Sequence, residues 1–223
     1  MILENVQGVK ARIARAARAA GRDPESVTLL AVSKTHPVAR IAEAQAAGLR
    51  AFGENYVQEA LQKMQSVSGV EWHLIGALQS NKSRLAAERF DWVQTVDRVR
   101  IANRLSEQRP AHLPPLNVLI EVNISGEPSK SGVGVKEVTE LGKAIERLPR
   151  LRLRGLMAIP APGAAGDFAK MRQLYEKLRA QFGFDTLSMG MSDDLEVALA
   201  EGSTMVRIGT AIFGPRKKEK TAA

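Results

Sequence analysis

Short apolar runs alternate with helix-patterned segments along this chain, and the alternation persists from residue 27 to residue 209. The runs cover 27–34, 49–55, 70–76, 90–96, 116–125, 151–160, 184–190 and 203–209, and their length predicts buried strands. Between them, segments such as PVARIAEAQAAG, RVRIANRLSEQ and DFAKMRQLYEKLRAQF carry apolar residues three and four apart, which predicts helices with one buried stripe. A further helix precedes the first strand. Ile2, Val6, Val9, Ile13, Ala16, Ala17 and Ala20 form its stripe, while Arg12, Arg15, Arg18 and Arg22 sit off it and predict a basic outer face. The stretch TAIFG (210–214) reads as a short turn only.

Strands in strict alternation with helices need crossover connections, which are right-handed and give a parallel sheet. Eight such units close most naturally into a barrel. The predicted fold class is therefore α/β, a single (β/α)8 TIM barrel with one extra N-terminal helix, with a doubly wound open sheet as the fallback. No stretch rich in Pro, Gly or Ser is long enough to divide the chain, and the densest one, AIPAPGAAGD (158–167), lies inside one strand–helix connection. One barrel domain is expected over 1–214, followed by a basic tail over 215–223.

Composition narrows the chemistry. The 223 residues include no cysteine, which removes disulfides, thiolate metal sites and a cysteine nucleophile, and suits a reducing, cytoplasmic setting. No apolar stretch approaches a membrane span, and the N-terminus lacks the layout of a signal peptide. The net charge of +8 attracts phosphates or nucleic acid, and part of that excess lies in the tail, whose ordinary reading is a solvated terminus. Aromatic residues make up only 4%, which leaves little for bases to stack on.

A parallel barrel gathers its functional groups at the C-terminal ends of its strands. Three strand endings are chemically specific. In LLAVSKTHPV, alternation puts Leu30, Val32 and Lys34 on one face, so Lys34 would rise at the barrel mouth. A desolvated, neutral amine there could attack an aldehyde; the ordinary reading is a lysine that snorkels to water or pairs with Glu54. In GMSDDLEVALA, Ser192 is placed as a helix N-cap ahead of Asp193 and Asp194, and the same serine with nearby backbone amides could hold an anion. In VRIGTAIFG, Arg207 ends the eighth strand, while Gly209 and Thr210 open a turn where barrels often bind phosphate. An aldehyde and a phosphate together fit pyridoxal 5'-phosphate (PLP). Arg207 opposite its pyridine nitrogen would leave the ring unprotonated and a weak electron sink.

The motifs AVSKTHP, FGENYVQEA, WHLIGALQSNK, LNVLIEVNIS, SKSGV, LRGLMAIPAP and LSMGMSDDLEVALAEGSTMVRIGTAIFG, in this order over nearly the whole chain, resemble the pyridoxal phosphate homeostasis proteins. The resemblance implies a barrel similar to the N-terminal domain of alanine racemase. It implies PLP held as a covalent aldimine at Lys34, with Ser192, Gly209 and Thr210 around the phosphate and Arg207 at the ring nitrogen. Asn55 and the Ser188–Met189 strand end would also line the pocket. It further implies a monomer that keeps PLP in balance and passes it to apo-enzymes, with no strong catalysis of its own. Ala77 stands where proline is commoner among bacterial relatives, and segment 163–184 is shorter than in many; neither touches the implied site.

Other readings stay beside this one. A single-domain PLP-dependent racemase or lyase would need a second base, and the tyrosines are Tyr56, near the expected mouth, and Tyr175, read as packing. A nucleic-acid binder driven by charge lacks any recognition motif. Lys130, in the loop after strand five, could compete for the aldehyde but reads first as solvated. His36 could share a proton with Lys34. His36, His73 and His112 form no cluster with ligand spacing, so no metal is expected.

Overall fold

The structure, a computed structural model, describes residues 1–161 and 163–215. Of the expected basic tail, residues 216–223 lie outside the described residues. The strands are β1 Thr28–Val32, β2 Ala51–Glu54, β3 Glu71–Leu74, β4 Trp92–Val96, β5 Leu116–Glu121, β6 Leu151–Met157, β7 Thr186–Ser188 and β8 Met205–Ile208. Helix α1 (Ile2–Ala19) precedes them. Between and after the strands come α2 (Val38–Ala46), α3 (Val57–Met64), α4 (Ser83–Arg89), α5 (Val99–Gln108), α6 (Val138–Glu146), α7 (Ala165–Phe182), α8 (Leu195–Ala200) and α9 (Thr210–Phe213).

All neighbouring strands pair in parallel and the sheet closes, β8 returning to β1 with Leu30 opposite Arg207. The predicted barrel and its extra N-terminal helix are both present. Alternation sorts the side chains. Ala31, Phe52, Val93, Val118, Leu156 and Val206 point outward into the large core shared with the helices. Leu30, Val32, Ala51, Ile75 and Met205 fill one part of the barrel interior, and Trp92, Leu119 and Met157 another.

Helix α1 lays Ile2, Val6, Val9, Ile13 and Ala17 on the core and packs against α2, α8 and α9. Its basic face is not wholly turned to water. Arg12 forms a two-pronged pair with Glu196 of α8 (2.9 and 2.8 Å) and donates to Ser192 O (3.1 Å). Arg22, which the sequence placed on this face but which lies past the end of α1, donates to Leu199 O (3.1 Å) and Ser203 O (2.8 Å). These arginines satisfy carbonyls at both ends of α8, which periodicity within α1 could not reveal. The stretch read as a turn at 210–214 makes one helical turn, α9, which Asn5 of α1 ties down through Ile212 O (2.8 Å).

Strands stop sooner than the apolar runs suggest. β1 ends at Val32 rather than Lys34, because the chain turns at Thr35 with φ 66°. β5 ends at Glu121 rather than Ser125: Val133 N donates to Glu121 O and Asn123 N to Val133 O (both 2.9 Å), so the loop folds back on its own strand.

Closure also needs one close approach. Arg154 is an extra residue in β6 relative to β5, and the next residue, Gly155, has φ 153°. A Cβ at Gly155 would lie 1.8 Å from Thr186 O on β7. Gly155→Ala is expected to lower unfolding stability by about 3 kcal/mol or more in urea titrations, since both strain and backbone overlap result. An unchanged midpoint would contradict this account of the seam.

Candidate functional site

The C-terminal ends of the strands surround a cavity of about 220 Å³. Lys34, Asn55, Ser192, Arg207, Gly209 and Thr210 all line it. Val32 and Ile75, at the top of the interior cluster, form its apolar floor. Barrel closure explains the convergence: β1 and β8 are neighbours, so the loop after residue 32 meets the loop after residue 208. Ser188 and Met189 are placed off this wall. Both are fully buried; Met189 points into the outer core, and Ser188 sits one layer behind Arg207.

Lys34 is half-buried, in the turn after β1. Glu54, the alternative partner considered from sequence, is on the wrong face. Alternation turns it outward beneath α3, where its carboxylate accepts from Lys63 Nζ (2.7 Å). His36 lines the cavity as well and stacks on Phe213 at 5.0 Å.

Arg207 is buried and donates to Ser188 O, Ser188 Oγ and Ala158 O, each at 2.8 Å. Three of its five N–H donors are thus committed to neutral acceptors. Burial pushes its pKa down to about 10, against the pull of Asp194 and Glu121, which still leaves it cationic at neutral pH. Behind it runs a polar chain through the barrel. Ser188 Oγ donates to Gln94 Oε1 (2.7 Å), and Gln94 Nε2 donates to His73 Nδ1 (3.0 Å). His73, stacked on Trp92 at 5.1 Å, is held neutral because burial lowers its pKa. Its Nδ1 therefore accepts and its Nε2 carries the proton.

The opposite wall of the cavity is built from loops. Ser192 precedes α8 but does not cap it; Asp194 holds the N-cap position, and its Oδ1 accepts from Met191 N. Ser192 instead opens into the cavity, while Arg12 grips its carbonyl. At Gly209 a Cβ would lie 3.3 Å from Val32 O, so a larger residue would crowd the β1–β8 junction. Ile212 N and Phe213 N both return to Gly209 O (2.9 Å). The Thr210 and Ala211 amides, at the start of α9, have no carbonyl within the helix to bond.

Sequence reasoning missed Glu121. It points inward at the end of β5, buried, with Oε2 lacking a partner among the described residues. Burial, aided by Asp97 and opposed by Arg207, raises its pKa to about 7. The signal was present as one acid inside the apolar run LNVLIEVNIS. Glu121 lines a second cavity of about 150 Å³ with Asn123 and Lys130. Lys130 is not simply solvated: its Nζ is covered and lies 3.5 Å from Glu127 Oε1. Tyr56 is 64% exposed and does not line the main cavity, whereas Tyr175 is buried and donates to Phe184 O (3.3 Å). Among the described residues, no group of three His, Asp or Glu side chains could hold a metal ion, and no helix is long and apolar enough to cross a membrane.

Residues 5–217 match the family model for the alanine racemase N-terminal domain. The pyridoxal phosphate homeostasis protein of Escherichia coli strain K12 is 58% identical, over 98% of each chain. Its namesake in Pseudomonas aeruginosa PAO1 is 59% identical, over 96% of each chain. The chain belongs to this family. Among solved structures, PipY of Synechococcus elongatus PCC7942 with PLP bound is similar at TM-score 0.79 and 36% identity, covering 96% of this chain and all of that one. The same protein without PLP gives a TM-score of 0.85 at 37% identity. This member of the pyridoxal phosphate homeostasis family thus carries, at the barrel mouth, the Lys34 amine, the buried Arg207 guanidinium, Ser192 and the Gly209–Thr210 turn around one cavity.

Glu121 makes a pH prediction for it. The folded chain holds this proton more tightly than the unfolded chain, whose carboxyl titrates near 4.5, so stability falls as pH rises from about 4.5 to about 7. Glu121→Gln should be more stable than the parent by about 3 kcal/mol at pH 8 and by only about 1 kcal/mol at pH 5. Denaturant titrations at the two pH values check this, and an equal difference at both would refute it.

Proposed function

We propose that this protein binds PLP in the main cavity and acts as a carrier, keeping the free aldehyde low and passing it to apo-enzymes. The observation that carries the reading is the convergence of Lys34, Arg207 and the Gly209–Thr210 turn on one cavity through the β1–β8 pairing. Relatives named for pyridoxal phosphate homeostasis and the PLP-bound PipY structure support it. The Lys34 amine would condense with the aldehyde carbon, releasing water and leaving a Schiff base. Ser192 and the first amides of α9 would take the phosphate, and Asn55 the rim of the ring.

Restraint in catalysis follows from the same residues. Arg207 donates throughout the neutral range, so it would face the pyridine nitrogen as a donor and keep that nitrogen unprotonated. An unprotonated ring withdraws electrons weakly, which disfavours carbanion chemistry. A racemase also needs a second base, and neither Tyr56 nor Tyr175 lines the cavity. The missing cysteines suit the cytoplasm, where apo-enzymes of this kind would be supplied, and we read the protein as a monomer there.

Borohydride reduction of the PLP-loaded protein followed by peptide mapping should place the pyridoxyl group on Lys34. A map that leaves Lys34 unmodified at saturation would overturn the reading. Sustained loss of optical activity from any amino acid in the presence of the loaded protein would favour the racemase instead.

A further inference from the structure

Behind the turn that carries Lys34 lies a buried ionic cluster with no counterpart in the cavity. Lys63 of α3 is 5% exposed and spends its three N–H donors on Ser33 O (2.8 Å), Glu54 Oε1 (2.7 Å) and Glu59 Oε1 (2.6 Å). Glu54 is fully buried and also accepts from Ser33 Oγ. Glu59 accepts from the Thr35 amide. The residues flanking Lys34 on both sides are therefore gripped from α3 and β2: Ser33 by its carbonyl and hydroxyl, Thr35 by its amide.

The grip works against a backbone preference. Thr35 has φ 66°, the only positive φ outside glycine among the described residues. A β-branched residue resists that conformation and holds it only where its surroundings over-determine it. Were the turn to relax, residues 33–35 would rotate and swing Lys34 off the cavity wall.

We propose that Lys63 is a positioning residue for Lys34, clamping the Ser33–Thr35 turn in its left-handed form so that the amine is presented to the cavity. This rests on the functional reading above, in which Lys34 is the PLP-bonding amine. Lys63 itself touches nothing in the cavity, and its ammonium is consumed by the clamp.

The test separates positioning from mere folding. Lys63→Met strands two carboxylates in a buried site, so it is paired with the double variant Glu54→Gln/Lys63→Met, which removes one of them. Two ligands are compared on each protein: pyridoxine 5'-phosphate, which has the phosphate but no aldehyde, and PLP. In variants that still melt cooperatively, pyridoxine phosphate affinity should stay within about 3-fold of the parent, while the rate of covalent bond formation at Lys34 falls at least ~10-fold, the scale expected when a reacting group is displaced by a fraction of an ångström. Adding Thr35→Gly to either variant should recover much of that rate, since glycine adopts the turn without the clamp. In the unliganded protein, Thr35 amide exchange should quicken by at least ~10-fold in Lys63→Met.

Parental bonding rates and parental Thr35 exchange in these variants would overturn the proposal alone. A loss of rate that Thr35→Gly does not recover would overturn it as well, since Lys63 would then serve only the packing of α3. A parent that forms no bond at Lys34 would overturn the functional reading and the clamp's purpose together.

Discussion

Closure of the sheet is the constraint on which the site depends. An open sheet would leave β1 and β8 as its two edges, far apart, with the turn at 33–35 and the turn at 209–210 facing solvent separately. Closing the ring sets Leu30 beside Arg207 and makes one cavity of two chain ends. The apolar interior is part of that constraint. Leu30, Val32, Ile75 and Met205 fill the space below the mouth, so the cavity has a floor and a bound ring would meet apolar surface rather than a water column. Helix α1 then braces the closed form from outside, fastening Ser192 through Arg12 and α9 through Asn5.

Two cations serve the mouth in opposite ways. Lys63 is neutralised by carboxylates behind the sheet, where its charge fixes backbone and reaches no ligand. Arg207 is surrounded by carbonyl and hydroxyl oxygens, which satisfy its hydrogen bonds without cancelling its charge. A carboxylate in the position of Ser188 would have neutralised the guanidinium and shared its donors. The neutral chain Ser188–Gln94–His73 avoids that, and burial keeps His73 uncharged at its far end. The result is a buried guanidinium that keeps its charge and lines the cavity from a neutral, hydrogen-bonded base.

Much of this architecture was legible in the chain. The eight-fold alternation of apolar runs with helical patterns carried the barrel, because strand and helix periods are local properties of sequence. Lys34, Ser192, Arg207, Gly209 and Thr210 stood out because each interrupts or ends an apolar run with a group that has chemistry. What stayed hidden depends on partners distant in sequence. The family resemblance implied Ser188 at the pocket; β7 is only three residues long, and its last side chain turns inward under Arg207. Met189 follows on the opposite face, as alternation requires. The Lys63 cluster was unreadable for the same reason. Lys63 and Glu59 are four apart on α3, an ordinary helix-surface pair, and only the fold shows that this surface covers the end of β1.

The two buried acids near the mouth separate support from chemistry. Glu54 has Lys63 and Ser33, so its charge is engaged even though burial raises its pKa. Among the described residues, Glu121 Oε2 has no such partner, and with its pKa raised to about 7 the carboxyl is about half ionised at pH 7. A carboxyl group poised there costs stability as pH rises from about 4.5 to about 7, and a barrel selected for firmness alone would place an amide or an apolar residue at the end of β5. Its position on the interior face, within the field of Arg207, couples its ionisation to the charge of that guanidinium.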